Sequence, residues 1–370
     1  MTRRSTIFKQ VATPTSRRIT LLSFAVGTAA LLGCSDRPTA PSSAALSAPG
    51  ATTDRNEHGS TTARLLVTGL HRARGSTIGP DGALYVTESE VGKISRVDPK
   101  KGTVTTFASG LPLSPLAAGG VVDVAFVKRT AYALVTIVGS NFVAPLPGDA
   151  TSVGIYRVDG PSSFTLIADI GKFSAAHLPP PDFPIGLNTG VQFALEPFRG
   201  GFLVSDGHHN RVLRVTRDGE ITTLLQVGNI VPTGLAVSGN TVYMTETGPI
   251  PHLPADGKVV RFSLKSPTPT EIAHGAPLMV DVEFGRGSAL FAISQGIGSG
   301  GPPATPAVPN TGALVRVNRD GTFTTIKGGL DRPTSLKFIG STAYVVTFAG
   351  EIWKIDDVGG PSNEHEDDDR

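Results

Sequence analysis

The sequence predicts an all-β chain folded as a six-bladed β-propeller whose ring is closed by an N-terminal strand. Three observations predict it. Residues 201–225 alternate apolar and polar side chains over short runs, with breaks at Ser205-Asp206-Gly207 and at Asp218-Gly219, the pattern of strand, turn and strand. A step of one cation and one apolar residue recurs at Arg96-Val97, Arg157-Val158, Arg214-Val215, Arg261-Phe262, Arg316-Val317 and Lys354-Ile355, at intervals of 61, 57, 47, 55 and 38 residues. Periods of that size with four short strands each indicate propeller blades. The sixth copy stops after Ile355 without a fourth strand, and residues 63–68 supply a spare one ahead of the first copy. Pairing the two removes the open sheet edge.

In the first blade the reading places strand A at 74–78, a turn at Pro80-Asp81-Gly82, strand B at 83–88, strand C at 93–98 and strand D at 103–108. The A to B and C to D connections are short in every copy, whereas B to C (139–153, 248–257, 295–312) and D to A (109–120, 171–189) are long. In an up-and-down blade the two long classes share one face, so the elaboration gathers around one mouth of the central channel, where binding sites on rigid scaffolds usually lie.

Residues 1–33 carry Arg3, Arg4, Lys9, Arg17 and Arg18 with no acid, then an apolar run that ends at Leu31-Leu32-Gly33-Cys34. The run reads as an export signal. Its end resembles the lipobox of bacterial lipoproteins, which implies that Cys34, the only cysteine, is lipidated and becomes the mature N-terminus. Residues 34–60, rich in Ser, Thr, Ala and Pro, read as a flexible tether, residues 61–358 as the propeller, and residues 359–370 as an acidic, disordered tail. The expected location is the cell envelope, anchored by lipid and facing out of the cytoplasm; Ser35 after the cysteine favours the outer membrane. Removing the signal leaves 28 basic against 31 acidic residues, so there is no case for nucleic-acid binding. No thiolate chemistry remains, and any metal must sit on oxygen or histidine. A monomer is expected.

Aligning the A strands puts Gly75, Asp123, Gln192, Gly234, Asp281 and Ser335 at one level near the mouth, with Arg74 beside it. The ends of the B strands add Glu88 and Glu246, and Asp206 one step further. Asp123 faces Asp281 across a six-fold ring, and Glu88 faces Glu246. Two readings stand. These five acids ring one opening and hold a divalent cation, for which calcium suits oxygen ligands alone, with Asp123, Asp281, Glu88 and Glu246 as ligands; or each acid accepts hydrogen bonds from backbone amides of its own or the next blade. His208 and His209, in the B to C turn of blade three, are candidates for a general base or a metal ligand, against a turn that bonds its own backbone through Asp206 and Asn210. The GxGxxG match at 296–301 is no nucleotide site, because Pro302-Pro303 follows and leaves no helix N-terminus for phosphates.

GPDGALYVTESEVGKISRVDP from Gly79, VVDVAF from Val121, ADIGKFSAAHL from Ala168, VPTGLAV from Val231 and RPTSLKF from Arg332 resemble the ScyD/ScyE family, exported NHL-like propellers named for a cyanobacterial scytonemin cluster. The resemblance covers about residues 65–356 and implies a six-bladed propeller outside the cytoplasm, with no catalytic residues to carry over. The expected function is a binding or scaffold module that takes a small molecule, glycan or protein at the long-loop mouth. The alternatives are a metal-dependent, lactonase-like hydrolase, whose Glu-Gly-Pro entry is replaced here by Ala73-Arg74-Gly75, and a lyase of the streptogramin-lyase type using a mouth histidine.

Overall fold

A computed structural model describes residues 61–139, 152–179, 187–301 and 305–358. The export signal, Cys34, the segment to residue 60, Pro302-Pro303 and the acidic tail lie outside the described residues. Six antiparallel four-stranded sheets follow one another around a ring. Their inner A strands are Ala73–Ile78, Gly120–Val127, Gln192–Phe198, Pro232–Ser238, Met279–Phe284 and Pro333–Ile339. Blade six is completed by the strand Ala63–Val67, which pairs with Ile352–Ile355 from Ala63 opposite Ile355 to Val67 opposite Ile352. The spare N-terminal strand closes the ring as the sequence predicts.

Alternation within each strand sends one row of side chains into the space between neighbouring blades, where aromatic pairs recur. Tyr85 meets Phe126 at 4.8 Å between ring centroids, Tyr132 meets Phe202 at 4.8 Å, Tyr243 meets Phe284 at 5.1 Å and Phe291 meets Phe338 at 5.0 Å. Each pair joins one blade to the next, the first three edge to face and the last tilted, adding aromatic attraction to the burial of apolar surface. The only α-helix among the described residues, Ile170–Ala176, interrupts the D to A passage from blade two to blade three, where the sequence suggests only a loop. Asp169 caps it by accepting the amide of Lys172 at 2.8 Å, a local signal of Asp before an apolar turn. No helix among the described residues is long and apolar enough to cross a membrane.

The pairing of strand A with strand B slips at the same place in all six blades, within the first four residues of strand A. Such a bulge turns two successive residues toward the axis and frees a backbone amide that needs another acceptor. How those amides are satisfied decides what the inward-facing residues can do.

Candidate functional site

The axis of the ring holds three successive spaces. The uppermost, at the long-loop mouth, has a volume of about 270 Å³. A constriction of about 60 Å³ lies below it, then a space of about 30 Å³ lined by Glu196 and Lys337. That last volume is room for about one water, so the mouth is a blind cup.

The constriction is built from Gly75, Ala194, Gly234, Asp281 and Ser335, each third in its A strand, and Asp123, fourth in the strand Gly120–Val127. Five of these are the residues read from the sequence. Gln192 is a correction: it pairs with Asp206 at the level of Ala73 and Pro232, and Ala194 occupies the ring. Gln192 joins blades two and three instead, its Oε1 accepting from Thr136 Oγ1 at 2.7 Å and its Nε2 donating to Asp206 Oδ1 at 3.0 Å.

The two aspartates satisfy bulge amides. Asp123 accepts Val124 N at 2.8 Å and, from the next blade, Leu195 N at 2.7 Å; Asp281 accepts Val282 N at 2.9 Å and Leu336 N at 2.7 Å. In blades one, three and four, where glycine or alanine stands at this place, a strand B hydroxyl does the work: Thr87, Ser205 and Thr245 accept Gly75 N, Ala194 N and Gly234 N at 3.0, 3.0 and 2.8 Å. A β-carbon on Gly75 would stand 2.6 Å from the Asp123 Cα, and one on Gly234 would stand 2.4 Å from the Asp281 Cα. Each glycine thus admits the aspartate of the following blade, and the Gly, Asp order of blades one and two repeats in blades four and five.

The calcium expectation is therefore corrected. Among the described residues no group of three or more His, Cys, Asp or Glu side chains is placed to hold a metal. Asp123 and Asp281 are taken up by amides, and burial pushes their carboxyls up to about 7 and about 6. Glu88 turns away from the axis to His71 N at 2.8 Å, Ser95 Oγ at 2.5 Å and Lys93 Nζ at 2.9 Å. Burial would raise its carboxyl, but these donors together hold it below the usual range. Glu246 is buried opposite Lys258 on strand C, and burial raises it to about 7. Glu88, Asp206 and Glu246 line none of the three axial spaces, so the acids do not ring one opening.

Asp206 and His209 belong to a buried polar strut under the helix. Arg211 donates to Asp206 Oδ2 at 2.9 Å, to Ser174 Oγ at 2.8 Å, to the His177 carbonyl at 2.7 Å and to His209 Nδ1 at 3.0 Å. That contact makes His209 Nδ1 an acceptor, so its Nε2 carries the proton and donates to the Leu187 carbonyl at 2.8 Å. His209 has both nitrogens engaged and lies outside the mouth, which corrects its candidacy as a base. Arg211 and Ser174 were missed; a cation directly after the His-His-Asn turn is the signal that could have found them.

His208 does line the mouth, with its ring stacked on Phe193 at 6.3 Å. His252, from the long B to C loop of blade four, joins it, with Nδ1 3.0 Å from the Gly248 carbonyl. Burial, then His252 and His209, lower His208 to about 4, and burial likewise lowers His252. Both imidazoles are neutral at pH 7. Arg74 enters the wall, donating to the Ala118 carbonyl at 2.6 Å and lying 5.5 Å over the Phe348 ring; burial, then Arg72, bring it down to about 10. The rest of the wall is mostly apolar or neutral, from Phe193, Val231, Leu278 and Val280 to Thr247 and Gln295. Its rim is apolar as well: Leu113, Leu116, Leu178, Leu253, Ile297 and Val308 are all exposed, and all lie in mouth loops.

Comparison with known proteins bears on the fold. No family model matches the sequence, and no curated protein matches it. Among solved structures, a gluconolactonase from Xanthomonas campestris is similar with 13% identity and a TM-score of 0.55, over 80% of this chain and 90% of that one. A PQQ-bound aldose sugar dehydrogenase from Streptomyces coelicolor matches with 14% identity and a TM-score of 0.55, over 80% and 98%. A virginiamycin B lyase from Staphylococcus aureus matches with 16% identity and a TM-score of 0.48, over 80% and 99%. For the two structures with a TM-score of 0.55 the shared feature is the propeller. At these identities the likeness is one of fold, and the site stands on its own geometry.

Proposed function

We propose that this protein is a lipid-anchored propeller of the cell envelope, of the ScyD/ScyE type, that binds a small ligand with an apolar face in the cup at its long-loop mouth. The observation that carries the reading is the cup itself: an apolar rim, neutral polar groups on the wall, and a floor closed by the constriction. At about 270 Å³ it lies just below the roughly 300–1,000 Å³ of drug-sized sites, which suits a compound of one or two rings. Two neutral imidazoles and Gln295 offer hydrogen bonds without a charge requirement, while Arg74 supplies one cation at the wall. Apart from Leu65 and Val104 on outer strands, the exposed large apolar side chains gather at this mouth, and such a patch is the mark of a binding surface.

The anchor is tested apart from the cup. In the native host, metabolic labelling with palmitate is expected to mark the protein and to fail in the Cys34→Ser variant; a labelled variant or an unlabelled parent removes the anchor. For the cup, anilinonaphthalene sulfonate is expected to bind with enhanced fluorescence, and Val280→Trp, which fills the cup from strand A of blade five, is expected to lower that binding at least tenfold with little change in Tm. Equal dye binding by both proteins would place the apolar site elsewhere.

One observation favours a second reading, an enzyme of the lyase class. His208 and His252 share the cup and are both unprotonated at neutral pH, the state a general base needs. The hydrolase reading has no such support, since Asp123 and Asp281 are taken up by amides of their own and the following blade.

A further inference from the structure

The two faces of the ring carry their charge differently. Four mouth segments, 110–119, 227–231, 276–278 and 295–301, contain no charged residue, and elsewhere on the mouth Arg72 pairs with Glu90 and Arg332 with Asp331. The opposite face, made of the short turns, carries exposed cations in several blades, among them Lys100 and Lys101 in blade one and Lys128 and Arg129 in blade two. A sharper pattern lies in the recurring strand C cation. In blades one, two and six it is paired: Arg96 with Asp81 at 2.7 Å, Arg157 with Asp159 at 2.5 Å and Lys354 with Asp356 at 2.9 Å. In the three consecutive blades between, Arg214, Arg261 and Arg316 make no ion pair or side-chain hydrogen bond among the described residues.

Two of these arginines open into a groove of about 940 Å³ between blades four and five. Arg286, from the A to B turn of blade five, is unpaired in the same sense, and Arg319, from the C to D turn, stands beside it. Only two acids line the groove, and both are engaged: Glu271 with Lys258 and His274, and Asp320 with Thr322. The groove thus keeps a surplus of positive charge whose natural complement is an anion. The chain itself enters the ring on this side, because strand Ala63–Val67 begins where Ile352–Ile355 ends, with Asp356 N donating to the Thr62 carbonyl at 2.9 Å. Twenty-six residues separate Cys34 from residue 61, and a coil of that length spans about 30 Å.

We propose that the short-turn face, centred on the groove of Arg261, Arg286 and Arg316, docks on the headgroups of an anionic membrane, with the mouth turned away toward solution. The choice of a membrane over another polyanion rests on the lipid-anchor reading of Cys34. Docking and anchoring then act together: each basic residue near an anionic surface strengthens partitioning about fivefold, and a tether on the same side holds the face close enough to use it.

The test uses unlipidated residues 58–370, a compact unit that contains every strand of the closed ring, so its outcome does not depend on Cys34. Co-sedimentation with vesicles of phosphatidylcholine mixed with phosphatidylglycerol is expected to show binding that added salt weakens and that vesicles of phosphatidylcholine alone lack. The triple variant Arg261→Gln, Arg286→Gln, Arg316→Gln is expected to bind about a hundredfold more weakly, while Lys172→Gln on the mouth side leaves binding unchanged. All three arginines are at least partly exposed, and an unchanged Tm confirms that the triple variant is folded. Equal binding to both vesicle types, or undiminished binding by the triple variant, would overturn the proposal. So would loss of binding in Leu178→Ser, Leu253→Ser, which would put the mouth on the membrane. Stabilisation by glycerol phosphate that requires the same three arginines, without vesicle binding, would assign the groove to a small anion instead. Vesicle binding by a protein that palmitate does not label in cells would keep the docking face and remove the anchor.

Discussion

Replacing Arg211 by alanine is expected to lower stability by about 3–5 kcal/mol, the range for breaking a buried charge pair from one side. The side chain is 2% exposed and joins four partners at once: Asp206, Ser174, the His177 carbonyl and His209. Its removal leaves the Asp206 carboxylate buried with only Gln192 Nε2 and Ser174 Oγ, at 3.0 and 3.2 Å. Lysine should restore little, because one ammonium cannot serve acceptors spread over a planar fork. The effect should begin locally. Helix Ile170–Ala176 is tied to blade three through this strut and through Phe173, which lies 5.3 Å beneath the guanidinium. Hydrogen exchange of the Arg211→Ala variant is therefore expected to show faster exchange in residues 170–177 than in the A strands, with a Tm lower on the order of 10 °C. Uniform protection across the helix and the strands would show that the strut is dispensable.

The second large effect is in the pH dependence of stability. Burial raises Asp123 to about 7 and Glu196 to about 8, against about 4 in an unfolded chain. A carboxyl raised on folding contributes most below its unfolded value, and that contribution is lost as pH rises through the folded value. His208 and His252 run the other way, since their lowered values make stability rise with pH until about 6.5, the ordinary histidine value, after which they contribute no further slope. Between about pH 6.5 and 8 the acids act alone, and the protein is expected to lose about 2 kcal/mol, or roughly 5 °C in Tm, the channel's partial hydration moderating the loss. Lys337 limits it as well. It is ion-paired with Glu283; burial opposes its charge, but Glu283, Asp281 and Glu196 raise it on balance. The double variant Asp123→Asn, Glu196→Gln should lose most of that fall, with Glu246, raised to about 7 outside the channel, keeping a small part of it. A steep fall retained in the variant would place the titrating groups outside the channel.

The architecture was legible because its signals are repeated. Six cation and apolar steps, a missing last strand and a spare first one lead to one closed ring, and the structure has that ring. The level of Asp123 and Asp281 was legible too, and of the two readings offered for them, the bond to backbone amides of their own and the next blade is the one found. The metal ring failed because side-chain type does not reveal where free amides lie. The bulge at the start of every A strand creates those amides, and the aspartates answer them. The same bulge explains the slip in blade three: Gln192 looks like the polar member of the ring, but the residue two places on, Ala194, fills it. The wall of the cup was hidden for a related reason. Phe193 and Val280 stand one residue before the ring, at positions that regular alternation would turn away from the axis. His252 sits alone in a proline-rich loop, with nothing nearby in sequence to tie it to His208.

The most direct test of the central claim is native mass spectrometry of the protein purified gently from its own host, beside the Val280→Trp variant prepared in the same way. The account predicts a small molecule retained by the parent protein, released on unfolding, and missing from the variant. A bound molecule retained equally by the filled cup, or a parent protein that carries none and binds no dye, would contradict it.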